Sequence, residues 1–288
     1  MIPAAAGLDP PARRLLAIAQ RVADAHRGID DASLMACVSG SIVDNIADAR
    51  SDVDMSVVFA TPPEEPVLRE ACRRAGGEWF WQSGDLEEGL VVSFHVDGVE
   101  VQIGYSREAG LAAMLDEVLV RHNPDTPNHK LAEGILKAMP LAGADRLEAL
   151  QRRLAAFPPE LGRAMVVHGL AAPVSWRGIS QLLHRDAGLW CRELQTDACY
   201  RFLLVLHGLN RRYFTRFQVK RMQRVVSMLA IAPPQLAGRI DTLLAAPHRE
   251  AFVALHGLEG EVIALVAQCM PDVDLSAVRK RREGFAPE

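Results

Sequence analysis

Gly40-Ser41-Ile42-Val43-Asp44, followed after a short loop by Ser51-Asp52-Val53-Asp54, constrains this chain more than any other stretch. Leu34-Met35-Ala36-Cys37-Val38 is a short apolar run that predicts a buried strand, stopped by Ser39-Gly40-Ser41. Val53 to Phe59 predicts its neighbour, stopped by Thr61-Pro62-Pro63. Residues i and i+2 of a strand project from one face, so Asp52 and Asp54 point together while Val53 points into the core. Two carboxylates on one strand face beside a glycine turn fit a divalent cation, and magnesium takes oxygen ligands that it shares among carboxylates, phosphates and water. The turn supplies the complement: glycine lets the backbone approach a phosphate, and exposed amides with the Ser41 hydroxyl can donate to its oxygens.

The following segments supply a third acid. A helix is expected from Glu65 to Ala75, then the aromatic segment Glu78-Trp79-Phe80-Trp81. A hairpin is expected with arms Leu90 to Val96 and Val99 to Tyr105 around Asp97-Gly98, a strong two-residue turn signal. On its second arm Val99, Val101 and Ile103 face one way and Glu100 and Gln102 the other, which displays Glu100. A carboxylate there can bind metal or take a proton from an attacking hydroxyl. Transfer of a nucleotidyl group from a triphosphate needs these parts: neutralised phosphate charge and an attacking oxygen held in line. The chain has no GxxxxGK[ST] spacing, which excludes an ordinary P-loop kinase or ATPase.

Beyond about residue 106 the period becomes helical: 111–120, 145–157, 160–170, 179–215, 219–229, 235–244 and 249–270, with prolines between the segments. An opening helix is expected from Pro10-Pro11, with Leu15, Leu16, Ile18, Ala19 and Val22 on one face. The expected fold class is therefore α+β: a unit of strands and helices over 1–142, then a helical unit over 143–288. The 288 residues, 49% of them hydrophobic, suffice for two such cores.

The net charge of −4 gives no footprint for a long nucleic acid, whose binding needs clustered phosphate neutralisation, and favours a small substrate. The basic run Arg279-Lys280-Arg281-Arg282 reads as a solvated tail. Five scattered cysteines without a CxxC pair, no secretory leader and no apolar segment of membrane-span length predict a cytoplasmic protein with free thiols and no membrane partner. His95, His122, His129 and His168 show no metal-ligand spacing. Trp79 and Trp81 read as core or hinge packing, with an acceptor-lining role as the alternative.

The ordered set of Gly-Ser turn, Ser-Asp-Val-Asp strand and Val99-Glu100-Val101-Gln102-Ile103 strand resembles the DNA polymerase β-like nucleotidyltransferase superfamily. Over about residues 36 to 105 it is most similar to the streptomycin and spectinomycin adenylyltransferases. The resemblance implies a two-domain enzyme, an N-terminal nucleotidyltransferase α/β core with a mixed sheet and a C-terminal α-helical bundle, that binds ATP and acceptor in the cleft between its domains. It implies transfer of AMP, with magnesium, to a hydroxyl of a small aminoglycoside-like acceptor and release of pyrophosphate. It assigns Asp52 and Asp54 to the metal, Glu100 to metal and catalytic base, and Gly40, Ser41 and Ser51 to the triphosphate. It also assigns to the triphosphate a lysine of the C-terminal domain, for which Lys220 is the candidate. The same chemistry on a protein or RNA acceptor, or a degenerate nucleotide-binding module, are the competing readings.

Overall fold

A computed structural model of the chain describes residues 7–30, 33–171 and 176–285. The chain forms two compact units, one from Met1–Asp116 with Leu131–Ala156, the other from Glu117–Lys130 with Phe157–Glu288. The fold is α+β: a mixed sheet organises the first unit, and the second is helical.

In chain order the first unit runs α1 (Pro10–His26), β1 (Met35–Val38), β2 (Val53–Phe59), α2 (Glu65–Arg74), β3 (Trp79–Asp85), β4 (Gly89–Val96), β5 (Val99–Arg107), most of α3 (Glu108–Leu119) and α4 (Asn128–Lys137), β6 (Met139–Ala142) and α5 (Ala144–Ala155). The strands lie in the order β3-β4-β5-β2-β1-β6. Each neighbouring pair is antiparallel except β2 and β5, which run parallel. The β4–β5 hairpin turns at Asp97 and Gly98, both at positive φ, the geometry that an Asp-Gly pair favours.

The period of the strands sorts the two faces of the sheet. Val53, Met55, Val57 and Phe59 of β2 join Val101, Ile103 and Tyr105 of β5 and Val92 and Phe94 of β4 in one core with Leu15, Ile18, Ala19 and Val22 of α1. Each such side chain contributes roughly 1.5–3 kcal/mol when withdrawn from water. One polar group is built into this core. His26 is fully buried, with Nδ1 2.7 Å from the Val22 carbonyl and Nε2 2.7 Å from the Tyr105 hydroxyl. Burial holds the ring neutral by lowering its pKa. A carbonyl only accepts, so Nδ1–H donates to Val22 and Nε2 accepts from Tyr105. The opposite face carries Asp54, Ser56, Gln102 and Ser93.

Two strands depart from expectation. Trp79, Phe80 and Trp81 open the edge strand β3, where Trp79 packs against the core but Trp81 stays 47% exposed, as does Phe80 at 56%. Residues 140–143, expected to divide the chain at 142/143, instead carry most of β6 and its exit turn. Pro140 is tolerated because β6 is an edge strand, which can spare an amide donor. α5 then packs back on β1 and β6, so the sheet unit extends to Ala156.

The second unit contains α6 (Pro159–Leu170), a 3-10 turn (Trp176–Gly178), α7 (Ile179–Leu183), α8 (Gly188–Leu209), a 3-10 helix (Arg216–Arg221), α9 (Met222–Ser227), α10 (Leu236–Ala245), α11 (His248–Cys269) and α12 (Ser276–Arg282). The span expected as one helix over 179–215 is broken at 184–187 and ends at Leu209, while 219–229 splits into the 3-10 helix and α9. α8 packs on α6 and α11. The basic run is no solvated tail: Arg281 donates to the Leu170 carbonyl, and Arg282 pairs at 2.7 Å with Glu259, which also accepts from the Trp176 indole at 2.9 Å. α11 is long and apolar enough, by length and composition, to cross a membrane, contrary to the sequence expectation. Here it serves as a packed helix, with Phe252, Leu255, Leu258 and Val262 buried.

Candidate functional site: a glycine turn against an acidic strand

The turn after β1 and the start of β2 are one structure. The Ser39 amide donates to the Asp54 carbonyl at 2.9 Å, continuing the β1–β2 pairing into the turn. Gly40 then takes φ +69°, and a Cβ built on it would stand 2.3 Å from Asp54 Oδ2. Only a residue without a side chain lets the carboxylate of Asp54 lie against the backbone of the turn. The turn closes on its own bonds, from the amides of Asp44, Asn45 and Ile46 to the carbonyls of Gly40, Ile42 and Ser41. Asn45, also at positive φ, accepts from the Asp9 amide at 2.8 Å and so fixes the turn to the start of α1. Ser41 Oγ is shielded from solvent and has no hydrogen-bond partner.

Register places the remaining acids. Asp54 pairs with Gln102 across the parallel β2–β5 ladder, and Glu100 pairs with His95 across β5–β4. The ladder begins with Val53 opposite Val101, so Asp52 and Glu100 are the residues that immediately precede it on two chains about 4.8 Å apart. Asp52 lies just before β2 and is exposed, Asp54 is half-buried, and Glu100 is exposed. The three acids share one sheet face, but their side chains do not converge. Among the described residues no three His, Cys, Asp or Glu side chains gather as a ready-made metal cage. A site that shares its cation with a ligand's phosphates needs no complete cage of its own. A half-buried carboxylate seated in a glycine-lined turn, a second acid two residues away and an unpartnered hydroxyl fit magnesium held jointly with phosphate.

Two other sequence candidates lie differently. The Ser51 hydroxyl accepts from the Asp48 amide at 2.9 Å and lies 3.2 Å from its carboxylate, which closes the loop before β2. Lys220 belongs to the second unit, exposed in the 3-10 helix 216–221. The sequence reading passed over Lys137, in the last turn of α4. Its ammonium is 2.7 Å from Glu133 and 3.8 Å from Asp44 of the turn. The signal was the Glu-x-x-x-Lys spacing and the scarcity of lysine, four against 28 arginines. In the helical unit Asp197 is held by Arg201 at 2.6 Å and Arg216 at 2.5 Å. Burial raises its pKa, but the two guanidinium groups outweigh burial and hold it below the usual value.

No protein-family model and no curated protein matches the sequence. Among solved structures the chain is similar to a nucleotidyltransferase-like protein from Exiguobacterium sibiricum 255-15, at 14% identity over 88% of this chain and 80% of that one, with a TM-score of 0.43. At that identity and score the likeness carries no functional weight.

Proposed function

We propose that this chain is a magnesium-dependent nucleotidyltransferase that moves a nucleoside monophosphate, AMP from ATP, to a hydroxyl of a small, aminoglycoside-like acceptor. The observation that carries the reading is the seat of Asp54 against Gly40, which joins a phosphate-type turn and an acidic strand in one site. Asp52 and Asp54, with Glu100 in the neighbouring position, would hold the metal. When bound, magnesium neutralises phosphate charge and orients the triphosphate. Gly40 lets the turn's backbone approach the phosphates, and the Ser41 hydroxyl donates to them. Ser51 keeps the loop before Asp52 closed and is proposed to reach the triphosphate from there. Glu100 takes the proton as the acceptor oxygen bonds to the α-phosphorus and the bond to the β-phosphate oxygen breaks, so that pyrophosphate leaves. Lys220 is assigned to the triphosphate on the family resemblance alone.

The test is pyrophosphate release from each of the four nucleoside triphosphates against a panel of hydroxyl acceptors that includes aminoglycosides. We expect release that requires magnesium and falls at least a thousandfold in Asp54→Asn and Asp52→Asn without loss of melting temperature, of the order lost when transition-state electrostatics are removed. An Asp54→Asn enzyme with full activity would end the metal reading.

A further inference from the structure

We propose that Lys137 is a triphosphate-binding residue, supplied by the same unit that carries the acidic strand. The inference rests on the nucleotidyl-transfer reading and adds to it a protein cation that neither sequence motif nor resemblance assigns.

Three observations meet at the turn. First, the end of α4 runs beside it: a Cβ on Gly134 would lie 3.9 Å from the Ser39 hydroxyl oxygen, and Lys137 follows on the same helix face. Second, the ammonium of Lys137 is partly shielded, its side chain 28% exposed, between Glu133 at 2.7 Å and Asp44 at 3.8 Å. The Asp44 distance is beyond a hydrogen bond, so that contact is electrostatic and can be exchanged. An ammonium has three donors, and Glu133 uses one. Third, the turn holds Ser41 Oγ shielded and unpartnered. Its own bonds consume the amides of Asp44, Asn45 and Ile46 and leave Gly40 to Val43 outside that set. A left-handed glycine followed by such amides is a concavity of the anion-binding kind.

Charge decides what the concavity needs. A triphosphate brings several negative charges to a turn that lies beside the exposed Asp52, so it requires cations. Magnesium supplies part of that, and Lys137, with its ammonium already facing the turn, supplies a compact charge of the type that binds phosphate well. The nucleotide's phosphates would replace Asp44 at the ammonium while Glu133 keeps the side chain oriented. A plain clamp, in which Lys137 only ties the turn to α4, makes different predictions.

Calorimetric titration with MgATP and with magnesium tripolyphosphate separates the two. We expect Lys137→Met to weaken both ligands about tenfold or more, the loss of one charged hydrogen bond, at unchanged melting temperature. Lys137→Arg should recover part of that loss. Asp44→Asn, which releases the ammonium, should keep or tighten tripolyphosphate binding. A clamp would instead lower the melting temperature of Lys137→Met and make Asp44→Asn as weak as Lys137→Met, and either result overturns the proposal. Wild-type affinity in Lys137→Met overturns it too, while the nucleotidyl-transfer reading stands. If the wild-type protein binds neither ligand, that reading falls and this inference with it.

Discussion

Single positions decide the geometry of the turn. Gly40→Ala must place a methyl within bonding range of the Asp54 carboxylate and hold an L-residue at φ +69°. The backbone conformation alone costs about 1–2 kcal/mol, and displacement of Asp54 adds a functional loss beyond it. We expect a modest fall in melting temperature with a disproportionate loss of pyrophosphate release, measured side by side. His207 offers a different single-residue test. Its Nδ1 lies 2.7 Å from the Leu203 carbonyl, and its ring stacks on Phe214 at 4.3 Å. Burial pushes its pKa down to about 4. The unfolded chain therefore takes up a proton near pH 6.5 that the folded chain refuses, so stability falls as pH drops from about 6.5 towards 4, by on the order of 3 kcal/mol. His207→Gln should flatten that part of the profile in urea titrations across the range. Neither residue was legible beforehand: Gly40 was read as a turn, but not as the wall of Asp54, and His207 sits in an apolar run that gives no hint of its partner.

At the scale of elements, the strands that carry the acids were legible because their period and punctuation agree. β2 runs Val53–Phe59 as predicted, and the β4–β5 hairpin turns at Asp97-Gly98 as its sequence required. What the sequence hid were elements whose signal is tertiary. β3 alternates poorly, exposes Phe80 and Trp81 and survives by pairing with β4, while β6 contains a proline that only an edge strand forgives. In the helical unit the contact of α6 with α8 depends on glycines facing each other. A Cβ on Gly208 would be 2.8 Å from the Gly162 carbonyl oxygen, and one on Gly162 would be 2.9 Å from that of Gly208. The two backbones therefore nearly touch. Gly208→Ala forces them apart and should destabilise this unit by roughly 1–3 kcal/mol, as overpacking does, readable as a lower denaturant midpoint. An unchanged midpoint would mean that the helices slide without cost.

At the scale of the molecule, the division into a sheet unit and a helical unit was visible in the change of hydrophobic period near residue 106, but the place where the units part was not. Contact, not composition, keeps α5 with the sheet. The chain end was misjudged for the same reason. Glu259 is 3% exposed and joins Trp176 to Arg282, which draws α12 into the helical unit. Glu259→Ala strands the Arg282 guanidinium in a shielded site. It should cost about 3–5 kcal/mol, the usual result of removing one partner of a buried pair, seen as a large drop in melting temperature. Of the candidate site, the residues were legible and their mutual placement only in part: alternation along β5 gave Glu100 its face, but only the register of β2 against β5 sets it beside Asp52.

That register also dictates when the site can exist. β2 and β5 pair in parallel although β3 and β4 lie between them in the chain. Closing a loop of roughly fifty residues costs about 3 kcal/mol beyond a constant, whereas the hairpin β4–β5 closes locally. The hairpin can therefore form early, and Asp54 meets Gln102 only when the long connection closes, a slow, non-local step. Assembly of the acidic face is accordingly a late event in folding, and under the proposed function the onset of nucleotide binding during refolding should trail the hairpin's own signal.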